Sequence, residues 1–310
     1  MSTQQLFFME PDQDYRSDSL KADVAVSDRP LVADTAQHFE DCHNDYLFAW
    51  ANSDNLAFHY GYWDSPEPYN QHQALINKNQ LLYDKAKIRP TDRVLDAGCG
   101  IGGSSIWMAK NFGNRATGVT ISGKQVGYAT NYAKKKGVAN LVDFVQTDFC
   151  NTPFEDESFD IVWNAEAVSH TQFKGAFLKE AFRLLKPGGR IVYCDAFMMQ
   201  RGFNEEQWQT MLGFFNGWAV PNLCYCDEFQ GLLEGCGFQG IELDYIHEQT
   251  IQSAEYMYKV TKRLYPLQKL SQWLGLRNKA QTANYYAGLA QYDMFRNRYA
   301  EYCVFTATKP

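Results

Sequence analysis

A chain of 310 residues with 45% apolar content can bury one large α/β core carrying an extra segment, rather than two independent domains. Its net charge of -7 excludes nucleic acid as the principal partner, because a phosphate backbone selects basic faces. Eight cysteines without a paired CxxC framework read as reduced structural thiols, and six histidines without a close ligand pair give no expectation of a metal site.

Residues 1–32 are polar and rich in Asp, Ser and Gln, which predicts a loosely ordered leader. The leader lacks a basic region followed by an apolar run, and no stretch approaches the roughly 18 apolar residues of a membrane span, so a cytoplasmic protein without a membrane span is expected. From Ala33 to Trp50, the spacing of Phe39, Cys42, Tyr46, Leu47 and Trp50 predicts one amphipathic helix. A turn at Tyr60 to Trp63 and a helix over 71–87, ending before Pro90, complete an N-terminal helical cap, 33–88. The core, 89–310, opens on the strand Arg93 to Asp96.

That strand runs into the most informative stretch of the chain, Val94-Leu95-Asp96-Ala97-Gly98-Cys99-Gly100-Ile101-Gly102-Gly103. Gly98, Gly100 and Gly103 satisfy the GxGxxG dinucleotide fingerprint, which is weak evidence alone. In a nicotinamide or flavin site, Asp96 would add negative charge beside a pyrophosphate. A sulfonium ligand such as S-adenosylmethionine instead carries an ammonium, a positive sulfur and ribose hydroxyls, all of which a carboxylate serves. The next strand, 115–122, carries Thr120 where the dinucleotide fingerprint requires an acid for the ribose. Asp96 and Thr120 together point to the methionine-derived cofactor, with Cys99 and Ile121 beside them. Ser122 is a predicted N-cap for a helix over 123–136, and Gln125, three residues on in capping-box spacing, is counted with Cys99 and Ile121 among the expected cofactor contacts.

Strands over 142–147 and 159–164, a helix over 173–186 and a strand over 189–195 follow, with Lys186-Pro187-Gly188-Gly189 as an abrupt helix stop. Strands alternating with helices imply a parallel sheet wound on both faces. From Gln200 the pattern turns into helices crowded with aromatics, an insertion over about 200–225 and 250–300. It is interrupted by a helix near 226–236 and a strand over 238–246, and includes helices over 251–274 and 281–299. A seventh strand, Tyr302 to Thr308, closes the chain.

The motifs HYGYWD (59–64), VLDAGCGIGGSS (94–105), GVTIS (118–122) and WNAEAVSH (163–170) resemble those of class I S-adenosylmethionine-dependent methyltransferases, in the branch of tocopherol, sterol and prenyl diphosphate enzymes. The resemblance covers about Phe58 to Ala196 by motif and the rest by layout, and it implies a Rossmann-like, seven-stranded, mostly parallel sheet. It implies that Asp96, Gly98 and Gly100 surround the methionine part of the cofactor, that Thr120 meets the ribose, and that Asp148 and Phe149 meet adenine. An acceptor oxygen on Asp148 suits an exocyclic amine, and Phe149 can cover the ring. Asn164 stands next to this cofactor set.

Beyond the fourth strand lies Asn164-Ala165-Glu166-Ala167-Val168-Ser169-His170, where open parallel sheets bind ligands. Glu166 and His170, four apart, project to one side if the segment is helical, and would form a proton-accepting pair. In the prenyl diphosphate and sterol enzymes the Glu of this motif is assigned as a base or a cation stabiliser, which the resemblance carries to Glu166. Methyl transfer to an alkene leaves a carbocation that aromatic faces stabilise. Tyr60, Tyr62, Trp63, Phe203, Trp208, Phe214, Phe215, Trp218, Tyr256 and Tyr285 are candidates to line such a chamber. The expected function is therefore C-methylation of an isoprenoid, prenyl diphosphate-type alkene, with cyclisation open. A diphosphate acceptor would call for Mg²⁺ or for Lys262-Arg263 and Arg296-x-Arg298. An O- or N-methyltransferase of a phenol, hydroxyl or amine, an NAD-dependent oxidoreductase and a non-catalytic binding module are the alternatives. A homo-oligomer stays open.

Overall fold

A computed structural model of the protein describes residues 32–50, 55–65 and 70–310. The expected leader lies outside them apart from Val32. The cap comprises α1 (Val32–Asp41), α2 (His43–Ala49) and α3 (Gln71–Lys85). Asn70 caps α3 by accepting from the Gln73 amide at 3.0 Å, and one face of the helix, including Ala74, Leu75, Lys78 and Leu82, is buried.

The core runs β1 (Arg93–Ala97), α4 (Gly103–Phe112), β2 (Arg115–Thr120), α5 (Gly123–Lys135), β3 (Val142–Gln146) and β4 (Phe159–Ala165). A single 3-10 turn, Val168–His170, leads to α6 (Lys174–Leu184), β5 (Leu185–Met198), α7 (Glu205–Gly217), α8 (Cys226–Gly235) and β6 (Gln239–Tyr245). The helices α9 (His247–Arg263), α10 (Tyr265–Trp273) and α11 (Lys279–Arg296) precede β7 (Ala300–Thr308). The sheet has the expected seven, mostly parallel strands, in the order β3-β2-β1-β4-β5-β7-β6 with β7 alone antiparallel. Buried side chains alternate between its faces: Val94 of β1 joins the cluster under α3 and α4, while Leu95 and Ala97 join the one under α6 and α8.

The chain leaves β1 toward β2 and β3, then returns to the other side of β1 as β4. That reversal opens a crevice beyond the carboxyl ends of β1 and β4, where Gly98 and Glu166 sit. Of the expected insertion, Phe214, Trp218 and Val220 line that crevice, whereas its 250–300 part lines a neighbouring cavity. Gly213 and Gly217 let α7 press on α11, since a Cβ on Gly217 would come within 2.4 Å of the Ala287 Cβ.

Three departures from the expected elements have a physical reason in the sequence. The helix expected over 33–50 breaks at Cys42, whose near-zero ψ (φ -90, ψ 2) bends the chain while its amide still bonds to the His38 carbonyl. The bend lets Glu40 of α1 accept from the Ser122 hydroxyl at 3.0 Å, docking the cap on α5. The helix expected over 251–274 divides at Leu264, because Pro266 in the first turn of α10 cannot continue α9. Lys186-Pro187-Gly188-Gly189 lies inside β5 rather than in a helix stop. Leu185 already pairs with Phe159, and a bulge before the Ile161 and Arg190 pair absorbs the Pro-Gly-Gly run.

Candidate active site

One cavity occupies the crevice, and its wall includes Asp96, Gly98, Cys99, Gly100, Thr120, Ile121, Gln125, Asp148, Phe149, Tyr60, Glu166 and His170. Each of these residues was named from the sequence. Asn164 is the exception. It is fully buried within β4, and its side-chain amide donates to the Ala97 carbonyl at 2.7 Å, so it ties β4 to the end of β1 and does not reach the cavity.

The glycine turn is shaped by contact with the next segment. Gly98 has φ +88, and a Cβ there would lie 2.1 Å from the Ala167 Cβ. Its amide and that of Cys99 both donate to the Val119 carbonyl, at 3.0 and 2.9 Å, which pins the turn to β2. Asp96 is 3% exposed and accepts from the Ser105 hydroxyl at 2.6 Å. Burial pushes its carboxyl up to about 6, with the Ser105 bond acting against that shift. Among the described residues Asp96 forms no ion pair, so a buried acid faces the cavity in want of a cation. A ligand ammonium fits that want. Thr120 donates to Gln125 Oε1 at 2.6 Å. Gln125 therefore does not complete the expected capping box, although Ser122 does cap α5 through the Gln125 amide at 3.2 Å. Asp148 accepts from the Cys150 amide at 2.8 Å, which fixes the loop that carries Phe149.

The far part of the cavity is built around Glu166, a non-glycine residue at φ +60 held by its amide bond to the Cys194 carbonyl at 2.8 Å. Both carboxylate oxygens accept from the Tyr60 amide, at 3.0 and 3.1 Å, and one also accepts from the Lys78 ammonium. Lys78 is fully buried on α3 and lies 4.6 Å from the centre of the Tyr302 ring. Burial pushes Glu166 up to about 7, with Lys78 pulling the other way. Burial also opposes the charge on Lys78, but its neighbours Cys194 and Glu166 outweigh it and hold the ammonium above its usual range.

The expected Glu166 and His170 pair does not form. After Glu166 the chain makes one 3-10 turn, and His170 Nδ1 meets the Ala219 carbonyl at 3.2 Å with Phe39 edge-on at 5.0 Å. Burial pushes His170 down to about 4, so it is neutral at pH 7. The turn is held from behind by two groups that the sequence reading passed over. Asp195 accepts from the Ser169 amide at 3.0 Å, and the buried Lys174 ammonium donates to the Thr171 carbonyl at 2.5 Å and the Asn222 carbonyl at 2.9 Å.

Of the aromatic candidates, Tyr60, Phe214 and Trp218 line this cavity, whereas Tyr285 lines a neighbouring one and the others line neither. Phe39, Tyr46, Trp50, Phe58, Phe173 and Tyr302 add further rings to the wall. Trp50 stands edge-on to Tyr60 at 5.1 Å, and Trp218 lies 6.3 Å from Tyr60. The Tyr60 hydroxyl donates to Gln291 at 2.7 Å, so this residue offers the cavity its ring, and its backbone amide holds Glu166. No Lys or Arg is among the described residues of the wall. Lys262, Arg263, Arg296 and Arg298 lie away from it, and Arg298 is ion-paired with Glu248 and Glu301. No group of three or more His, Cys, Asp or Glu among the described residues is placed to hold a metal ion.

Residues 95–193 match the family model of the methyltransferase domain. Over 259 residues, 83% of this chain and 88% of the relative, the sequence is 27% identical to methyltransferase GfsG of Streptomyces halstedii. A sterol 24-C-methyltransferase of Gibberella zeae is 31% identical over 210 residues, 67% of this chain, but the match spans only 54% of that relative's length. The crystal structure of geranyl diphosphate C-methyltransferase from Streptomyces coelicolor has the same fold, with a TM-score of 0.68 at 18% identity, covering 92% of this chain and 100% of that one.

Proposed function

Because this chain belongs to the class I S-adenosylmethionine-dependent methyltransferases, we propose that it methylates a carbon of a lipophilic isoprenoid alkene and that Glu166 removes the resulting proton. The observation that carries this reading is the placement of Glu166: a largely buried carboxylate held by the Tyr60 amide and Lys78, within an aromatic wall and in one cavity with Asp96. S-Adenosylmethionine supplies an electrophilic methyl group. Asp96 holds its cationic end, the Gly98 to Gly100 backbone leaves room for it, and Asp148 and Phe149 take the adenine. Attack of the alkene on that methyl would form the new C–C bond as the methyl–sulfur bond breaks, its electron pair leaving with S-adenosylhomocysteine and a tertiary carbocation remaining on the acceptor. The rings of Tyr60, Trp218, Phe214 and Tyr302 shield it from water and stabilise it by about 0.5–2 kcal/mol per well-placed ring. Glu166 then accepts a proton from a carbon adjacent to the cation, and the alkene re-forms.

A wall without cations supports an acceptor whose polar end is uncharged rather than a diphosphate held through Mg²⁺. A heteroatom acceptor is the second reading, favoured by Glu166 near pH 7, a strength that also suits taking the proton of a phenol. Incubation with labelled methyl donor and a panel of geranyl and farnesyl diphosphates, a sterol, a prenylated phenol and simple amines separates the readings. Label on carbon supports the proposal, and label confined to oxygen or nitrogen overturns it.

Asp96→Asn retains the shape and the Ser105 contact but removes the charge. Its affinity for S-adenosylmethionine, measured by calorimetry at pH 7, is expected to fall about 10²-fold. For the parent, affinity is full above about pH 6 and falls below it, because protonation of Asp96 competes with the ligand ammonium. An affinity that does not change from pH 5 to 8 would remove Asp96 from the contact.

A further inference from the structure

The helix α10 is built inside out. Gln268 is buried and its Nε2 has no partner, while Leu267, Leu270 and Trp273 face outward, Trp273 with 81% of its surface exposed. Leu274 and Leu276, just past the helix, continue the exposed stripe, and Phe48 of α2, 71% exposed, lines the same neighbouring cavity as Leu267. A helix made to pack on a globular core turns such a stripe inward.

Although the whole chain carries -7, the stretch between Glu255 and Asp293 contains Lys259, Lys262, Arg263, Lys269, Arg277 and Lys279 and no acidic residue; Lys259 pairs with Glu255 and Arg277 with Asp45, which leaves Lys262, Arg263, Lys269 and Lys279 as the basic groups beside the stripe. Leucines and a tryptophan ringed by lysine and arginine are the chemistry of a helix lying in the headgroup layer of an anionic bilayer. Among the described residues no helix is long and apolar enough to cross a membrane, so this contact is peripheral.

We propose that α10 and the adjoining ends of α9 and α11 dock the protein on an anionic lipid surface. A second copy of the chain fits the face poorly, since a two-fold contact would set Lys262, Lys269 and Lys279 of one copy near those of the other. The cavity beneath α10 shares Tyr46, Trp50 and Trp218 with the active-site cavity. A lipophilic acceptor drawn from the bilayer thus enters beside the aromatic wall, a corollary that rests on the function proposed above.

The test is co-sedimentation of the full chain with phosphatidylcholine vesicles, with and without phosphatidylserine. The phosphatidylserine vesicles are expected to bind the protein, and salt to weaken that binding. Leu270→Ser combined with Trp273→Ser, and separately Lys262→Glu combined with Lys269→Glu, are each expected to lower partitioning by about tenfold or more. Unchanged melting temperature and S-adenosylmethionine affinity show that the variants remain folded. Absence of binding to phosphatidylserine vesicles, or binding indifferent to both variants, overturns the proposal. So does a parent dimer in sedimentation velocity that the Leu270 and Trp273 variant converts to monomer without any vesicle binding. No acceptor is present in this assay, so an error in the acceptor reading leaves its result intact.

Discussion

Glu166→Gln is expected to cut methyl transfer by about 10²-fold or more while leaving S-adenosylmethionine affinity within a few-fold of the parent. The amide keeps the volume, and its oxygen can still accept from the Tyr60 amide or from Lys78. It cannot take a proton. If the carboxylate only filled space, turnover would survive this change. The pH profile supplies a second readout. Glu166 is pushed up to about 7, and the ionised form is the base, so parent turnover rises through about pH 7 and levels off above it. In the glutamine variant that limb is absent from the residual rate. Turnover within a few-fold of the parent, or a limb that persists, would remove Glu166 from the chemistry. Substrate trapped as a water adduct, an alcohol in place of an alkene, would fit loss of the base alone, because the cation would then be quenched by any water that enters.

The parts of this site legible in the sequence are those imposed by backbone. Asp96 ends a strand, and the glycines after it mark a turn whose Cβ positions are occupied, so strand, turn and helix could be read in order. The aromatic chamber was legible as composition but not as geometry. Trp50 and Tyr302 lie about 250 residues apart in the chain, on α2's end and on β7, and only the packing of the N-terminal cap against the sheet brings both to Tyr60. The Glu166 and His170 pair does not form because one residue at φ +60 redirects the chain where helical spacing would have aligned the two side chains. Asn164 reads as a cavity residue by position, yet alternation along β4 leaves it bonded within the sheet. Lys78 had a signal that went unread. It occupies the same helical face as Ala74, Leu75 and Leu82, and a lysine on a core stripe requires an anion to meet it.

That anion makes Lys78 the second test of the site. Lys78→Met preserves the length of the side chain and removes the charge that draws the Glu166 carboxyl down. The limb of the pH profile should move upward by a unit or more, with turnover at pH 7 falling about tenfold per unit and recovering in alkaline buffer. Stability should move with pH as well. A carboxylate whose folded value lies above its unfolded one stabilises the fold below the unfolded value, and that contribution is lost as pH rises through the folded value. Without Lys78 the loss extends to higher pH and approaches about 3–5 kcal/mol only where Glu166 ionises unpaired. Adding Glu166→Gln to Lys78→Met removes the buried charge, so the double variant should melt higher than Lys78→Met above pH 7 yet remain inactive. A profile that does not shift in Lys78→Met would mean that the Tyr60 amide alone sets the carboxylate, and that Lys78 serves only the packing of α3 against Tyr302. A shifted profile, with melting that falls below the parent's only as pH rises past about 7, would assign Lys78 to the tuning of the base, which is the role that its position under Glu166 argues for.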